Sequence, residues 1–323
     1  AYGADVLRLW VSSVDYSADV PIGAGILRQL ADVYRKVRNT SRYLLGNLHD
    51  FNPAADTVPV AELPLLDRWM LQRTAEVMDE ISEAFESYEF FRFFQLLQNF
   101  CVTDLSNFYL DIAKDRLYVS APSDQRRRSC QTVMSLIIER LAGLIAPVLC
   151  HMAEDIWQNL PYEVEEISIF HRGWPTVPPD WRDPSLSEPI QRLRELRAAV
   201  NRVLEDCRSR QELGASLEAA VRIETRNQEL ESALNWLNES GDAETDGLRD
   251  WLLVSQLQLG GEPWAELLAN QTNDSAIIEV SRARGIKCER CWHYEGDVGQ
   301  HSQHPTLCGR CCGVLNRRDH QLI

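Results

Sequence analysis

Two pairs of cysteines near the C-terminus have the spacing of a metal site. Two residues separate Cys288 from Cys291 and Cys308 from Cys311, and sixteen residues lie between the pairs. Two tight turns of this kind can direct four thiolates at one tetrahedral Zn²⁺ ion. The intervening loop contains glycine and proline but no long apolar run, so it needs a metal in order to fold. The sequence therefore predicts one zinc ion per chain, bound by these four cysteines.

Neighbouring residues suggest other interpretations of the same region. A redox dithiol or disulfide would place one C-x-x-C at the end of a strand that opens a helix, which this loop does not offer. His301 and His304 are candidate ligands of a site with two cysteines and two histidines, but nine residues after Cys291 and two between the histidines are short for finger spacing. Cys312 competes with Cys311, and the two-residue spacing of the second pair favours Cys311.

The distribution of charge points to the same end of the chain. The formal net charge is −15 over 323 residues, which argues against a surface that binds nucleic acid throughout. Residues 229–279 hold eleven acids and one base, Arg249, whereas residues 282–323 hold seven bases and four acids. Any contact with a polyanion is therefore expected at the C-terminal segment, and the alternative is an ordinary solvated surface.

The other cysteines indicate a reducing compartment. Cys101, Cys130, Cys150 and Cys207 lie in apolar helical patterns and are predicted to be buried free thiols. No apolar run approaches the ~20 residues that span a bilayer, and the first residues do not form a signal peptide. We expect a cytoplasmic protein without membrane contact. Because the chain begins without methionine and inside an amphipathic segment, we also expect a fragment of a longer polypeptide.

Apolar residues at helical spacing predict four long helices, over about residues 27–48, 65–88, 89–117 and 124–160. The third contains crowded phenylalanines and is expected to be buried nearly all round. Pro147 is expected to kink the fourth. Long helices with short joins are typical of an antiparallel bundle. The run Arg126, Arg127 and Arg128 is expected to be solvated at a helix start.

A proline-rich stretch at residues 174–179 marks the end of the bundle. Beyond it, helices over about 193–207 and 229–237 and strands over about 217–223, 251–259 and 275–283 predict a small α+β module. The predicted fold class is therefore mainly α, with an antiparallel helical bundle followed by a small α+β module and a four-cysteine zinc knuckle. The predicted domains are residues 21–175, 185–284 and 285–323.

The sequence offers no catalytic constellation. It contains no phosphate-binding loop, no G-x-S-x-G elbow and no H-E-x-x-H motif. The carboxylates of Asp104, Asp111 and Asp115 recur at helical spacing beside Lys114 and Arg116, which suggests ion pairs rather than an acid and base pair. Four thiolates would also leave the zinc no open position for water. We interpret the chain as a binding module with no catalytic residues of its own.

Several motifs together resemble one family. They lie at residues 2–8 (YGADVLR), 34–40 (YRKVRNT), 107–111 (NFYLD), 114–118 (KDRLY) and 287–292 (KCERCW). In this order they resemble bacterial-type isoleucyl-tRNA synthetases of class I, and the resemblance covers essentially the whole chain. It corresponds to the C-terminal third of such an enzyme: the end of the linker after the catalytic domain at residues 1–20, the helical anticodon-binding domain, and the C-terminal zinc module.

The resemblance implies tRNA(Ile) as the partner, a monomer, and a role in translation. The HIGH and KMSKS signatures of the family are absent, and the only lysines are Lys36, Lys114 and Lys287. ATP binding, isoleucine activation and editing are therefore expected on an upstream catalytic domain and its insertions. The alternative is an autonomous zinc-bearing helical scaffold that binds a protein partner.

Five residues are predicted to contact tRNA. Anticodon loops are read by stacking unpaired bases on aromatic or guanidinium planes, which suits Trp292 and Arg290 beside the metal ligands. The alternatives are a Trp292 that covers the sulfurs and an Arg290 that donates to sulfur or is plain surface. Arg35, Arg38 and Arg42 share a helix face and could bind tRNA phosphate, or could pair with acids of the catalytic domain.

Overall fold

The computed structural model describes residues 2–239 and 247–319, and the chain divides into two compact units. The first unit comprises residues 1–113 and 123–183, and the second comprises residues 114–122 and 184–323. The second unit therefore contains both the predicted α+β module and the predicted zinc module. The predicted segments 1–20, 185–284 and 285–323 each include residues outside this description, namely residue 1, residues 240–246 and residues 320–323.

The first unit is helical, as the apolar periodicity predicted. Its core lies between the long helices and includes Leu44, Met70, Phe93 and Ile137, all of them fully buried. The helices are α1 (Ala4–Ser12), α2 (Ala24–Asn47), α3 (Pro53–Asp56), α4 (Leu65–Glu86), α5 (Phe90–Asn99), α6 (Leu110–Val119), α7 (Gln125–Ile145) and α8 (Cys150–Gln158). Residues 114–119 at the end of α6 belong to the second unit. Among the described residues, no helix is long and apolar enough to cross a membrane.

The third predicted helix differs from expectation in two ways. It is amphipathic rather than buried all round, since Phe91 is 37% exposed while Phe93 is buried. Between α5 and α6 the chain forms a π-helix, Phe100–Tyr109. There the Ser106 hydroxyl donates to the Cys101 carbonyl, 2.8 Å away and five residues earlier. A π-helix has more residues per turn than an α-helix. The α-helical period of 3.6 residues therefore assigns the side chains of this segment to the wrong faces.

The fourth predicted helix is broken rather than kinked. Helix α7 ends at Ile145 and α8 begins at Cys150, because Pro147 has no N–H for an intrahelical bond. The exposed N–H groups of α8 are satisfied from α1: the Asp5 carboxylate accepts from Met152 N–H at 2.9 Å and from His151 N–H at 3.3 Å. Through these two hydrogen bonds the buried Asp5 side chain caps a helix that lies far along the chain.

The expectation that the arginine run is solvated is wrong. Arg127 is buried, and its guanidinium donates to both carboxylate oxygens of Asp50, at 2.6 and 2.9 Å. Arg128 donates to the Asp50 carbonyl at 2.9 Å. Burial raises the pKa of Asp50, but the hydrogen bonds from Arg127 and Gln131 outweigh it and lower that pKa to about 2.

The second unit is an α+β fold around one small sheet. Its strands lie in the order β2-β1-β4-β3, with β1 and β2 parallel and the other pairs antiparallel. Its elements are α9 (Ser187–Ser209), β1 (Ala219–Thr225), α10 (Gln228–Glu239), α11 (Leu248–Leu252), β2 (Gln256–Leu259), β3 (Ala269–Thr272), β4 (Ala276–Arg282), β5 (Ile286–Lys287), β6 (Tyr294–Glu295) and α12 (Gly309–Asp319).

Several elements of this unit differ from the sequence prediction, among them the short strands β5 and β6, which were not predicted. The first part of the strand predicted over residues 251–259 is instead helix α11. That helix ends at Leu252, and Leu253 follows it with a left-handed φ of 56° before β2 starts. Strand β3 was not predicted, because its residues alternate only between half-buried and exposed. Helix α12 was also not predicted, because glycine and cysteine dominate its first turn.

Candidate metal centre and nucleic-acid interface

The four predicted cysteines form a buried cluster in the second unit. The Sγ atoms of Cys288, Cys291, Cys308 and Cys311 all lie within 4.8 Å of one another, and the cysteines carry no disulfide. The Sγ atoms of Cys291 and Cys308 are 3.7 Å apart. A tetrahedron with zinc–sulfur bonds of about 2.3 Å has an edge of about 3.8 Å. The four thiols therefore fit one tetrahedral zinc ion.

The backbone around the first pair forms a closed turn. The Cys288 N–H donates to the His293 carbonyl at 2.8 Å, and the Trp292 N–H donates to the Cys288 carbonyl at 2.9 Å. The short ribbon of β5 and β6 supports this turn. Gly285 precedes the ribbon with a φ of 102°, and a Cβ there would lie 2.6 Å from the Glu295 carbonyl oxygen. Only glycine fits that position.

The second pair begins helix α12 and completes the cluster. The Cys308 N–H donates to the Cys288 Sγ at 3.3 Å, and the Cys312 N–H donates to the Cys308 carbonyl at 3.0 Å. Hydrogen bonds from the Cys291 and Cys311 thiols lower the pKa of Cys308, which favours thiolate formation there.

The competing ligand sets are not assembled among the described residues. His301 Nε2 lies 3.2 Å from the Asp297 carboxylate instead of joining the sulfurs. The cluster contains Cys311 and not its neighbour Cys312, which is buried outside it. A second group, Asp5, Cys150 and His151, is close enough to hold a metal in the first unit. There the Asp5 carboxylate is already engaged as the cap of α8.

Helix α6 supplies one wall of the thiol cluster, which the sequence analysis did not predict. Val119 packs with the four cysteines and Val298. One turn earlier, the Asp115 carboxylate accepts two hydrogen bonds from Arg310, at 2.7 and 2.8 Å. Burial lowers the pKa of Arg310, but Asp115 and Cys291 outweigh it and raise that pKa above its usual value. Asp104 and Asp115 are thus ion-paired, as predicted, although their partners Arg73 and Arg310 come from other elements.

Arg290 and Trp292 flank the second ligand of the first pair and differ in their surroundings. Arg290 is half-buried, and its Nη1 donates to the Cys311 Sγ at 3.7 Å. Trp292 is 60% exposed and has a left-handed φ of 67°. The Lys287 ammonium lies 5.5 Å from the centroid of the Trp292 ring. The tryptophan therefore presents its ring to solvent.

The three predicted arginines of α2 are all exposed, in the first unit. Arg35 donates to the Asp32 carboxylate at 2.8 Å. Arg38 and Arg42 line a groove of about 390 Å³ between α2 and α8, together with Asp155 and Asn159. The Asn159 amide donates to the Asp155 carbonyl at 2.8 Å. The three side chains thus share an exposed face, but Arg35 already has a carboxylate partner.

Comparison with known proteins identifies relatives over the whole chain. Residues 67–223 match the anticodon-binding domain of tRNA ligase, and residues 285–312 match the zinc finger found in FPG and IleRS. The chain is 83% identical over 322 residues to an isoleucine–tRNA ligase of Parasynechococcus marenigrum. It is 78% identical to one of Prochlorococcus marinus and 76% identical to one of a Synechococcus species. The alignments cover 98 to 100% of the chain and 33% of each relative, so the chain spans one third of their length.

Proposed function

Because the chain corresponds in sequence to the C-terminal third of the isoleucine–tRNA ligases, we propose that it recognises the anticodon stem-loop of tRNA(Ile) within such an enzyme. The observation that carries the proposal is the match of residues 67–223 to the anticodon-binding domain of tRNA ligase. Attachment of isoleucine with ATP would take place on an upstream catalytic domain. We further propose that the enzyme is monomeric and cytoplasmic. The buried free thiols of Cys101, Cys130 and Cys207 support a reducing compartment.

The zinc finger contributes a structural metal in this proposal. Cys288, Cys291, Cys308 and Cys311 would hold one zinc ion, and their close spacing supports that assignment. Four thiolates complete a tetrahedral shell, so the ion would supply rigidity to the loop rather than activate water. We assign residues 21–175 to the helical anticodon-binding domain, 185–284 to a junction module and 285–323 to the zinc module.

Trp292 is the residue proposed to contact bases of the anticodon loop. Its ring is 60% exposed although its backbone is held in a conformation that costs a non-glycine residue about 1 kcal/mol or more. Strained backbone that keeps an aromatic ring in water supports a binding role. Lys287 beside the ring and the remaining N–H groups of Arg290 would meet the adjoining phosphates.

Arg38 and Arg42 are proposed to bind the tRNA backbone. Both line the exposed groove on α2, and guanidinium groups suit phosphate because they donate two parallel hydrogen bonds. Arg35 would add less, because its hydrogen bond to Asp32 must first be broken. The alternative is that these arginines pair with an acidic surface of the catalytic domain. In that case, their mutation would not change the affinity of this chain for tRNA.

Binding titrations at several salt concentrations test the proposal. Arg38→Gln and Arg42→Gln should weaken binding of tRNA(Ile) and of an anticodon-swapped tRNA equally, and should reduce the salt dependence by about one counterion per contact. Trp292→Ala should instead reduce the ratio of the affinity for tRNA(Ile) to that for the anticodon-swapped tRNA, while zinc stays bound. Equal affinity of the unmutated chain for both tRNAs would refute anticodon recognition. The chain alone should also show no isoleucine-dependent exchange of pyrophosphate into ATP, and exchange above a blank would place the chemistry within it.

A further inference from the structure

The two cysteine pairs share an arginine at the same position. In Cys288-Glu-Arg290-Cys291 and in Cys308-Gly-Arg310-Cys311, the arginine directly precedes the second cysteine. Arg290 reaches across to the second cysteine of the other pair, where its Nη1 donates to the Cys311 Sγ at 3.7 Å. Arg310 directly precedes Cys311 in the chain, and its guanidinium is held by two hydrogen bonds to the Asp115 carboxylate.

A reason for this arrangement lies in the charge of the metal centre. Four thiolates around Zn²⁺ carry two surplus negative charges, and all four cysteines are buried. Buried negative charge is costly unless hydrogen-bond donors or cations compensate it. Guanidinium groups stay protonated at every pH at which the protein is folded, so they are permanent donors to sulfur.

Asp115 orients one of the two arginines. It accepts two hydrogen bonds from Arg310 at 2.7 and 2.8 Å, and its side chain is 15% exposed. The carboxylate returns some negative charge to the site, so its role is to fix the guanidinium rather than to neutralise the metal centre. Other bases nearby are differently engaged, since Lys287 lies over the Trp292 ring.

We propose that Arg290 and Arg310 stabilise the zinc centre and slow the loss of the metal: Arg290 donates to a thiolate of the opposite cysteine pair, and Arg310 places a fixed positive charge beside Cys311. Asp115 is the positioning residue for Arg310. This inference rests on the proposed assignment of the four cysteines as zinc ligands. It adds a function to Arg290 that does not depend on tRNA.

The experiment measures zinc release from the zinc-loaded chain after a chelator is added, with no tRNA present. Arg290→Gln should release zinc on the order of tenfold faster, since a hydrogen bond to a charged sulfur is lost. Arg310→Gln should also release zinc faster, since a positive charge beside the thiolates is lost. Asp115→Asn should accelerate release by a smaller factor, because both arginines remain. The matched control is Arg284→Gln: this arginine is exposed in the same unit, and its backbone exchanges hydrogen bonds with Gln256. It should release zinc at the unmutated rate.

Cobalt substitution gives a second readout that a merely structural effect would not move. A donor to sulfur stabilises its lone pairs, so Arg290→Gln should shift the sulfur-to-cobalt charge-transfer band to lower energy. Unchanged zinc release in both variants, or an unchanged band in Arg290→Gln, would overturn the inference. A variant that binds metal too weakly for the release assay is examined as Arg→Lys, which must retain more metal than Gln for the inference to stand. If the unmutated chain binds no stoichiometric zinc, the ligand assignment itself is wrong, which is a separate outcome.

Discussion

Replacement of Trp292 by glycine should separate the stability of the knuckle from its affinity for RNA. Glycine adopts the φ of 67° without strain, so the variant regains about 1 kcal/mol of backbone energy. It loses the contact with the Lys287 ammonium, worth about 0.5 to 1 kcal/mol at an exposed site. The two effects nearly cancel, so zinc retention and thermal unfolding should stay close to those of the unmutated chain.

Binding of tRNA(Ile) should weaken in the same variant. Stacking of one base on an aromatic ring contributes about 1 to 3 kcal/mol, which corresponds to a loss of roughly 5- to 150-fold in affinity. Trp292→Ala is the matched control, because alanine loses the same stacking but keeps the strained φ and should be less stable than the glycine variant. Titrations with zinc content checked measure both quantities. Unchanged affinity of both zinc-loaded variants would refute the stacking role, and a glycine variant less stable than the alanine variant would refute the strain argument.

Three further predictions concern the metal loop and the helical unit. Gly285→Ala should destabilise the metal loop and lower zinc content, because its Cβ would lie 2.6 Å from backbone; full occupancy and an unchanged chelation rate would contradict this. Metal analysis should show one zinc per chain, lost in Cys291→Ser and kept in Cys312→Ser, while chelation leaves the far-ultraviolet circular dichroism of the bundle largely intact. Because the pKa of Asp50 is lowered to about 2 beside Arg127, its contribution of about 1 to 2 kcal/mol is present above about pH 4. That contribution is lost as the pH falls towards 2, so unfolding curves of the unmutated chain and Asp50→Asn should converge there; a constant difference would refute it.

The sequence predicted the elements whose signals are local. The thiol spacing of the two C-x-x-C pairs identified a cluster that the structure assembles, because each turn is formed by four consecutive residues. The long helices followed from apolar residues that repeat every three or four positions. The predictions were wrong mainly where a residue's surroundings depend on a partner that is distant in sequence. The arginine run looked solvated because Asp50, its partner, lies more than seventy positions earlier.

The wall of the metal centre could not be predicted from spacing. Val119 and Asp115 carry no local sign that they face cysteines, because one is an ordinary apolar residue and the other lies among charges at helical spacing. Arg310 did carry a signal, since the C-x-R-C pattern occurs in both pairs. Only the folded chain shows that Arg290 reaches the opposite pair and that Arg310 is held by Asp115.

The distance along the chain between Asp115 and Arg310, 195 positions, has a consequence for biosynthesis. During translation, Asp115 leaves the ribosome long before Arg310 is synthesised. The second cysteine pair, Cys308 and Cys311, also emerges after the first pair. The metal centre can therefore close only after the second cysteine pair has left the exit tunnel. A peptide excised at residue 285 would contain every sulfur ligand and yet lack the helical wall against which they pack. A nascent chain would thus bind zinc with all four cysteines only after translation had passed the second cysteine pair.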